Sequence, residues 1–179
     1  MKPTERVTVA VERWGLGEVI QRCISLLSVR RTADLLGVNL ELAMVLGAVT
    51  DPGWFARGRP PGHLYWARVW AARALVYVWD GSGSGAIVSA LADEQWRVRE
   101  MAARVVRARG LAVAVEAVVC LVRDDVPRVR VAAARALGVV GEGEHVGALM
   151  SLKDDAERSV ARAAQQAIDE LSSRLDRKF

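Results

Sequence analysis

Arg73, Arg104 and Arg135 recur along the chain at intervals of 31 residues. A guanidinium is a rigid fork of donors that meets a carboxylate or phosphate through two parallel hydrogen bonds, so an evenly spaced set suits an anionic surface. Arg97, Arg104 and Arg107 in one stretch, and Arg128 and Arg135 in the next, repeat the pattern with Glu100 among them. The competing reading is that these arginines pair with Glu100 or other acids and form a solvated face. A second series, Arg68, Arg99 and Arg130, keeps the same step but lies beside core valines and recurs with the aspartates of the turns. Hydrogen bonds that tie loops to helix ends would occupy it, so Asp93, Arg99, Asp124 and Arg130 are assigned a structural role.

Six tryptophans are many for 179 residues. Trp66, Trp70, Arg73 and Tyr77 fall within a narrow wedge of one helix, with Trp54, Phe55 and Trp79 close in sequence. Trp66 and Trp70 are therefore candidates for anchoring a partner, because tryptophan and arginine dominate binding hot spots. Against this, the favoured expectation is that N-terminal helices fold over and bury the cluster, since the end of a repeat stack needs a cap. Catalytic chemistry has little to stand on. His63 and His145 are the only histidines, and the sequence places no serine or cysteine nucleophile beside either. Cys23 and Cys120 sit in apolar helical settings without paired spacing, so neither a disulfide nor a metal site is expected. The run Asp80 to Gly85 lacks the Gly-Lys-Ser/Thr ending of a phosphate loop and reads as a connector. Asp124-Asp125 and Asp154-Asp155 read as helix caps. No catalytic residue, metal or cofactor is expected.

The elements that must position these residues follow from the same 31-residue period. Gln95 to Arg104 align without gaps on Val126 to Arg135, and one step either way reaches Ala67-Arg68 with Ala71 and Ala72, or Val160 with Ala163 and Ala164. A fixed period of this size marks stacked helical hairpins. Val98, Ala102, Val105 and Val106 form an apolar stripe that a lone helix cannot bury. Shorter apolar stretches at 87–91, 118–122 and 148–152 supply the other helix of each hairpin, and Gly110, Gly141 and the run Gly81 to Gly85 mark turns. The spacing predicts one layer of parallel helices over 66–79, 96–109, 127–139 and 158–172.

These residues resemble the HEAT-like repeats, including the subtype associated with phycobilisome lyases. The family pairs a turn aspartate with a Val-Arg and an Ala-rich helix, here Asp93 with Val98-Arg99 and Asp124 with Val129-Arg130. The first unit keeps Arg68 behind an insert from Asp51 to Gly62, and the last keeps Asp155 and Val160 but has Ala161 where arginine is expected. The resemblance covers roughly residues 40 to 175. It implies an all-α, right-handed α-solenoid of HEAT-like helical hairpins with an N-terminal helical cap, whose signature helices line a concave inner face. DNA glycosylases for alkylation damage are also built from HEAT-like repeats, and imply an inner acid flanked by aromatic and basic residues. Glu100 is the one acid among the inner arginines of the middle units, and no aromatic is placed beside it on that helix. A lyase, or a lyase chaperone acting on a chromophore-bearing protein, is a third class.

Residues 1–39 are read as the cap and 40–179 as about four repeat units of one continuous domain. Thr32 to Leu46 resembles a helix-turn-helix, yet its second helix offers only Glu41, with Asn39 at its start, to reach base edges. Charge is uneven: residues 66–139 carry eleven arginines against seven acids, whereas 140–179 carry six basic groups against eight acids. The N-terminus lacks the apolar run of a signal peptide, and Glu116 interrupts the stretch from Leu111 to Val122, so no membrane span and a cytoplasmic location are expected. The leading expectation is a non-enzymatic scaffold or adaptor that meets the acidic surface of a protein partner through the arginine face, with nucleic-acid binding as the alternative.

Overall fold

A computed structural model describes residues 1–35, 37–59 and 62–179. The described residues are helical, with no strand among them. The chain divides into two compact units, Met1–Ile87 and Val88–Phe179.

The first unit contains α1 (Pro3–Trp14), α2 (Leu16–Leu27), α3 (Val38–Gly47) and α4 (Tyr65–Leu75). Gly15 joins α1 to α2 at φ 84°, a left-handed conformation that glycine adopts without a steric penalty. Val19, Ile20, Cys23, Leu26 and Leu27 form one stripe of α2, and this stripe packs on α4 and α3. Arg68 lies in this core at 2% exposure and donates from Nη1 to the Val29 carbonyl at 2.8 Å. The candidate helix-turn-helix offers no reading face. Leu42, Ala43 and Leu46 of α3 are buried, and the carboxylate of Glu41 is held by Arg13 at 2.9 Å. Asp51 opens the insert by accepting from Gly53 N–H at 2.8 Å, which caps a turn of 3₁₀ helix over Pro52–Ala56.

The boundary between the units falls within α5 (Ser84–Ala90). The second unit continues with α6 (Trp96–Arg109), α7 (Val115–Cys120), α8 (Pro127–Val140), α9 (Val146–Met150) and α10 (Arg158–Leu175). Here α8 packs between α6 and α10, with α7 against α8 and α9 against α10. Val98, Ala102, Val129, Ala133, Val160 and Ala164 all lie in the core, so the stripe read from the sequence faces the neighbouring helix at every step. Small residues set the spacing: a Cβ on Gly138 of α8 would lie 3.1 Å from the Ala167 Cα of α10. The described residues form an all-α fold, and the second unit is built as the stacked helical hairpins of an α-solenoid. α4 stops at Leu75 rather than 79, and the second strip of each hairpin is a short helix flanked by 3₁₀ turns at Ala112–Ala114, Leu121–Arg123 and Gly143–His145.

One ladder of side chains runs along the turns of the second unit. Asp93, Asp124 and Asp155 each accept the backbone N–H two residues on, at 2.8 to 2.9 Å; that N–H belongs to the N-cap residue, so the aspartates expected to cap the helices instead fold the turns that lead into α6, α8 and α10. Arg99 closes its own turn by donating Nη1 to the Asp93 carbonyl at 2.8 Å, then turns its fork to the next repeat, where Nε and Nη2 meet Asp124 at 2.6 and 3.0 Å. Arg130 repeats both contacts on the Asp124 carbonyl and on Asp155, at 2.8, 2.7 and 2.9 Å. The Arg130 fork holds the Asp155 carboxyl below the ordinary carboxylate range, helped by the Glu157 N–H, and Asp155 raises the Arg130 guanidinium in return. With these two arginines occupied by the ladder, Arg104 and Arg135 of the other series stand apart from it as exposed cations.

Candidate anion-binding groove

The exposed face of α6 and α8 carries a groove of about 430 Å³ with Arg104 and Arg107 on one wall and Arg128 and Arg135 on the other. Helix geometry sets the register: residues three and four apart share a face, and seven residues span two turns. Ala108, Val131, Ala132 and Val139 complete the lining with apolar surface. Glu100 lies among the arginines with its side chain only 8% exposed. A carboxylate at that depth has to be partnered. Arg104, one turn along α6, donates to Glu100 Oε1 at 2.8 Å, and Arg128 reaches the same oxygen from α8 at 3.3 Å. Arg107 and Arg135 are exposed and have no ion-pair partner among the described residues.

A second cavity, of about 500 Å³, shares Glu100, Arg104, Arg128 and Val131 with the first. Its far side is Trp96, Val126, Pro127, Glu157 and Ser159. The sequence reading left Glu100 without an aromatic neighbour on its helix. The structure corrects this: Trp96 begins α6 one turn before Glu100 and lines the same cavity. The spacing of four residues was the available signal. The guanidinium of Arg97 stands 4.3 Å from the centre of the Trp96 ring and that of Arg128 at 5.4 Å, both within cation–π range.

Two candidates leave the surface set. Arg73 belongs to the first unit, where its Nη2 lies 3.4 Å from the Leu46 carbonyl at the end of α3, a carbonyl that Arg6 also reaches at 3.2 Å. Burial and then the neighbouring Arg6 charge lower the Arg73 guanidinium, the signature of a cation drawn inward rather than offered to solvent. Trp70 is 8% exposed. Its ring stacks on Trp54 at 5.4 Å and Trp66 at 5.9 Å and meets Phe55 edge-on at 5.9 Å. The six-membered ring of Trp70 lies directly over Gly47 of α3, where any Cβ would collide with it. Trp66 remains half-buried against Tyr65 and Trp70, and Tyr77 is exposed.

Of the remaining reactive groups, Cys23, His63 and His145 are buried or engaged, and Cys120 is an exposed free thiol. Burial pushes the Cys23 thiol up to about 12, which leaves no thiolate at neutral pH. Cys120 and His145 line one cavity, but Nδ1 of His145 accepts from the Glu142 N–H at 2.8 Å and Nε2 faces Glu116 at 3.3 Å, so no ring nitrogen is left to activate a thiol. His63 lies against Trp54, with ring centres 4.2 Å apart and Nδ1 3.1 Å from the Trp54 carbonyl. No group of three metal-ligating side chains occurs among the described residues.

Residues 84–169, just under half of the chain, match the family model of HEAT repeats. Over that stretch the chain is similar to HEAT repeats. The matched stretch holds the whole Asp–Arg ladder and both walls of the groove. Among solved structures, the chain is similar to the crystal structure of an engineered protein, with 20% identity and a TM-score of 0.54 over 87% of this chain and 80% of that one. At that identity the likeness shows the fold alone. No curated protein matches the chain. HEAT repeats commonly serve as non-catalytic scaffolds for protein interaction. No helix among the described residues is long and apolar enough to cross a membrane.

Proposed function

We propose that this protein is a non-enzymatic scaffold whose HEAT-like repeats hold an acidic segment of a protein partner in the arginine groove of α6 and α8. The observation that carries this reading is the imbalance of charge in the groove. Four arginines surround one buried carboxylate, and two of them, Arg107 and Arg135, have no acidic partner among the described residues. Forked donors placed around apolar surface suit a partner that brings carboxylates or other anions together with contact area.

The alternative kept from the sequence, a nucleic-acid-binding relative of the alkylation-damage glycosylases, gains Trp96 beside Glu100 but has no other support. The two arginines argue against Glu100 as a base, because both donate to its Oε1 and so engage the carboxylate within the groove rather than leaving it to meet an incoming substrate. A capture experiment from native cell extract, with and without nuclease, tests the reading when run with the parent chain and with Arg107→Glu plus Arg135→Glu. The expected result is a protein partner that survives nuclease and is lost in the double variant. Retention of every partner by the variant would refute the groove.

A further inference from the structure

We propose that the groove between α6 and α8 is built for a phosphoryl dianion carried on a peptide side chain. This rests on the reading of that groove as a protein-partner site and specifies what the partner presents. Four arginines less one glutamate leave a formal excess of three positive charges around a cavity of about 430 Å³. One carboxylate is already there. Glu100 takes Arg104 and Arg128, so the groove as folded shows what a single negative charge satisfies, and Arg107 and Arg135 remain. A second carboxylate would bring one more charge and two oxygens to two forked cations. A phosphoryl group brings close to two charges and three acceptor oxygens, enough to receive from both forks.

The adjoining cavity says how that group is carried. It opens from the same four residues toward Trp96, Val126 and Pro127, an apolar shelf with room for a side chain. A free phosphate ion would make no use of this shelf. A phosphorylated residue with an apolar neighbour would fill both cavities. The surroundings also separate this ligand from a nucleic-acid strand, which brings a phosphate about every 3.4 Å and binds along an extended cationic track. Here Glu157 lines the second cavity, and residues 140–179 carry eight acids against six basic groups, so the net positive charge of the groove does not continue as an uninterrupted cationic run through the chain that follows. A discrete cationic pocket bordered by acids accepts one multiply charged group and repels a polyanion.

The test is fluorescence anisotropy with the full chain and a labelled peptide pool that has a fixed phosphoserine–leucine pair and random flanks. The comparison probes are the same pool with glutamate for phosphoserine, inorganic phosphate as competitor, and an unstructured single-stranded DNA. The expected result is binding of the phosphoserine pool about tenfold or more above the glutamate pool. Arg107→Glu and Arg135→Glu should each lower it by about tenfold or more, the size of one charge-assisted hydrogen bond, while the exposed control Arg162→Glu leaves it unchanged. Equal binding of both pools would overturn the phosphoryl inference and leave the acidic-partner groove standing. Competition by inorganic phosphate at the affinity of the phosphoserine pool would overturn the peptide part. Binding of the DNA with neither pool would overturn both readings. Circular dichroism of the two variants keeps the outcome clear, because exchanging exposed charges remote from the core leaves the fold intact.

Discussion

Arg99 grips Asp124 through both arms of its fork, at 2.6 and 3.0 Å, while its remaining nitrogen holds the Asp93 carbonyl of its own turn. One side chain thus closes one repeat and fastens the next. The pair is poorly accessible, with the arginine side chain 18% exposed and the aspartate 5%, so water cannot readily replace the contact.

Arg99→Ala should therefore lower stability by about 2 to 3 kcal/mol, because it leaves the Asp124 carboxylate and the Asp93 carbonyl without their charged donor. Arg97→Ala on the same helix should have a smaller effect. Denaturant unfolding of both variants checks the ranking, and an Arg99→Ala protein as stable as the parent would show that the ladder is ornamental.

The acid limb of stability should carry the mark of Asp155. Its carboxyl lies below the ordinary value because Arg130 and the Glu157 N–H bind its charged form. A depressed carboxyl contributes stability that is present above the unfolded value of about 3.9 and is lost as pH falls through the lower folded value. Asp155→Asn should be about 1 to 2 kcal/mol less stable at pH 7 and converge on the parent in stronger acid. Asp34, Asp51 and Asp80 are lowered too, by the Arg31 side chain, the Gly53 N–H and the Ser82 hydroxyl respectively, so the parent keeps an acid transition even without Asp155. A constant gap between the two proteins from pH 7 to pH 2 would assign the effect of the variant to packing instead.

Gly47→Ala should destabilise the first unit by about 1 to 3 kcal/mol, although alanine is the better helix former by about 1 kcal/mol. The new methyl group collides with the Trp70 ring, and Trp54, Phe55 and Trp66 leave that ring little room to retreat. Near-ultraviolet circular dichroism reports the loss of ring order directly. A stabilised variant would mean that the aromatic stack is loose.

Salt should act modestly on partner binding. A groove with two available arginines predicts a shallow fall of affinity with ionic strength, whereas a nucleic-acid ligand would lose about 0.7 to 0.9 log units per contacted phosphate for each decade of salt. Titrations at several salt concentrations with the captured partner measure the slope, and a slope matching several phosphates would move the function to nucleic acid.

Much of the second unit was legible because its signals are local and periodic. Val98, Ala102, Val129 and Ala133 repeat at helical spacing within helices of 14 residues, long enough for the period to show. α7 and α9, at six and five residues, are too short for that, and only their apolar character could be read. The arginines of the groove were legible but their contacts were not: the sequence named Arg104, Arg107, Arg128 and Arg135, yet Arg128 meets Glu100 across two helices, and no spacing within one helix reports such a contact. Arg73 shared the step of Arg104 and Arg135 yet is drawn to Leu46, because the carbonyls ending α3 attract cations whatever the repeat register says. Trp70 was legible only as a choice between a partner anchor and a buried cap residue, for a similar reason. Its burial depends on a missing side chain in another helix, Gly47, which no aromatic pattern reveals.

The depth of Glu100 has an entropic side. Arg104 and Arg128 are long side chains, each with roughly 2 kcal/mol of rotamer freedom to lose, and the carboxylate between them removes part of that freedom when the helices pack. An arriving anion meets two guanidiniums whose positions folding has already chosen. Replacing Glu100 by a neutral residue would make the groove more positive and yet less ready: attraction at a distance would grow, while the ordering required at contact would pass from the folding step to the encounter itself.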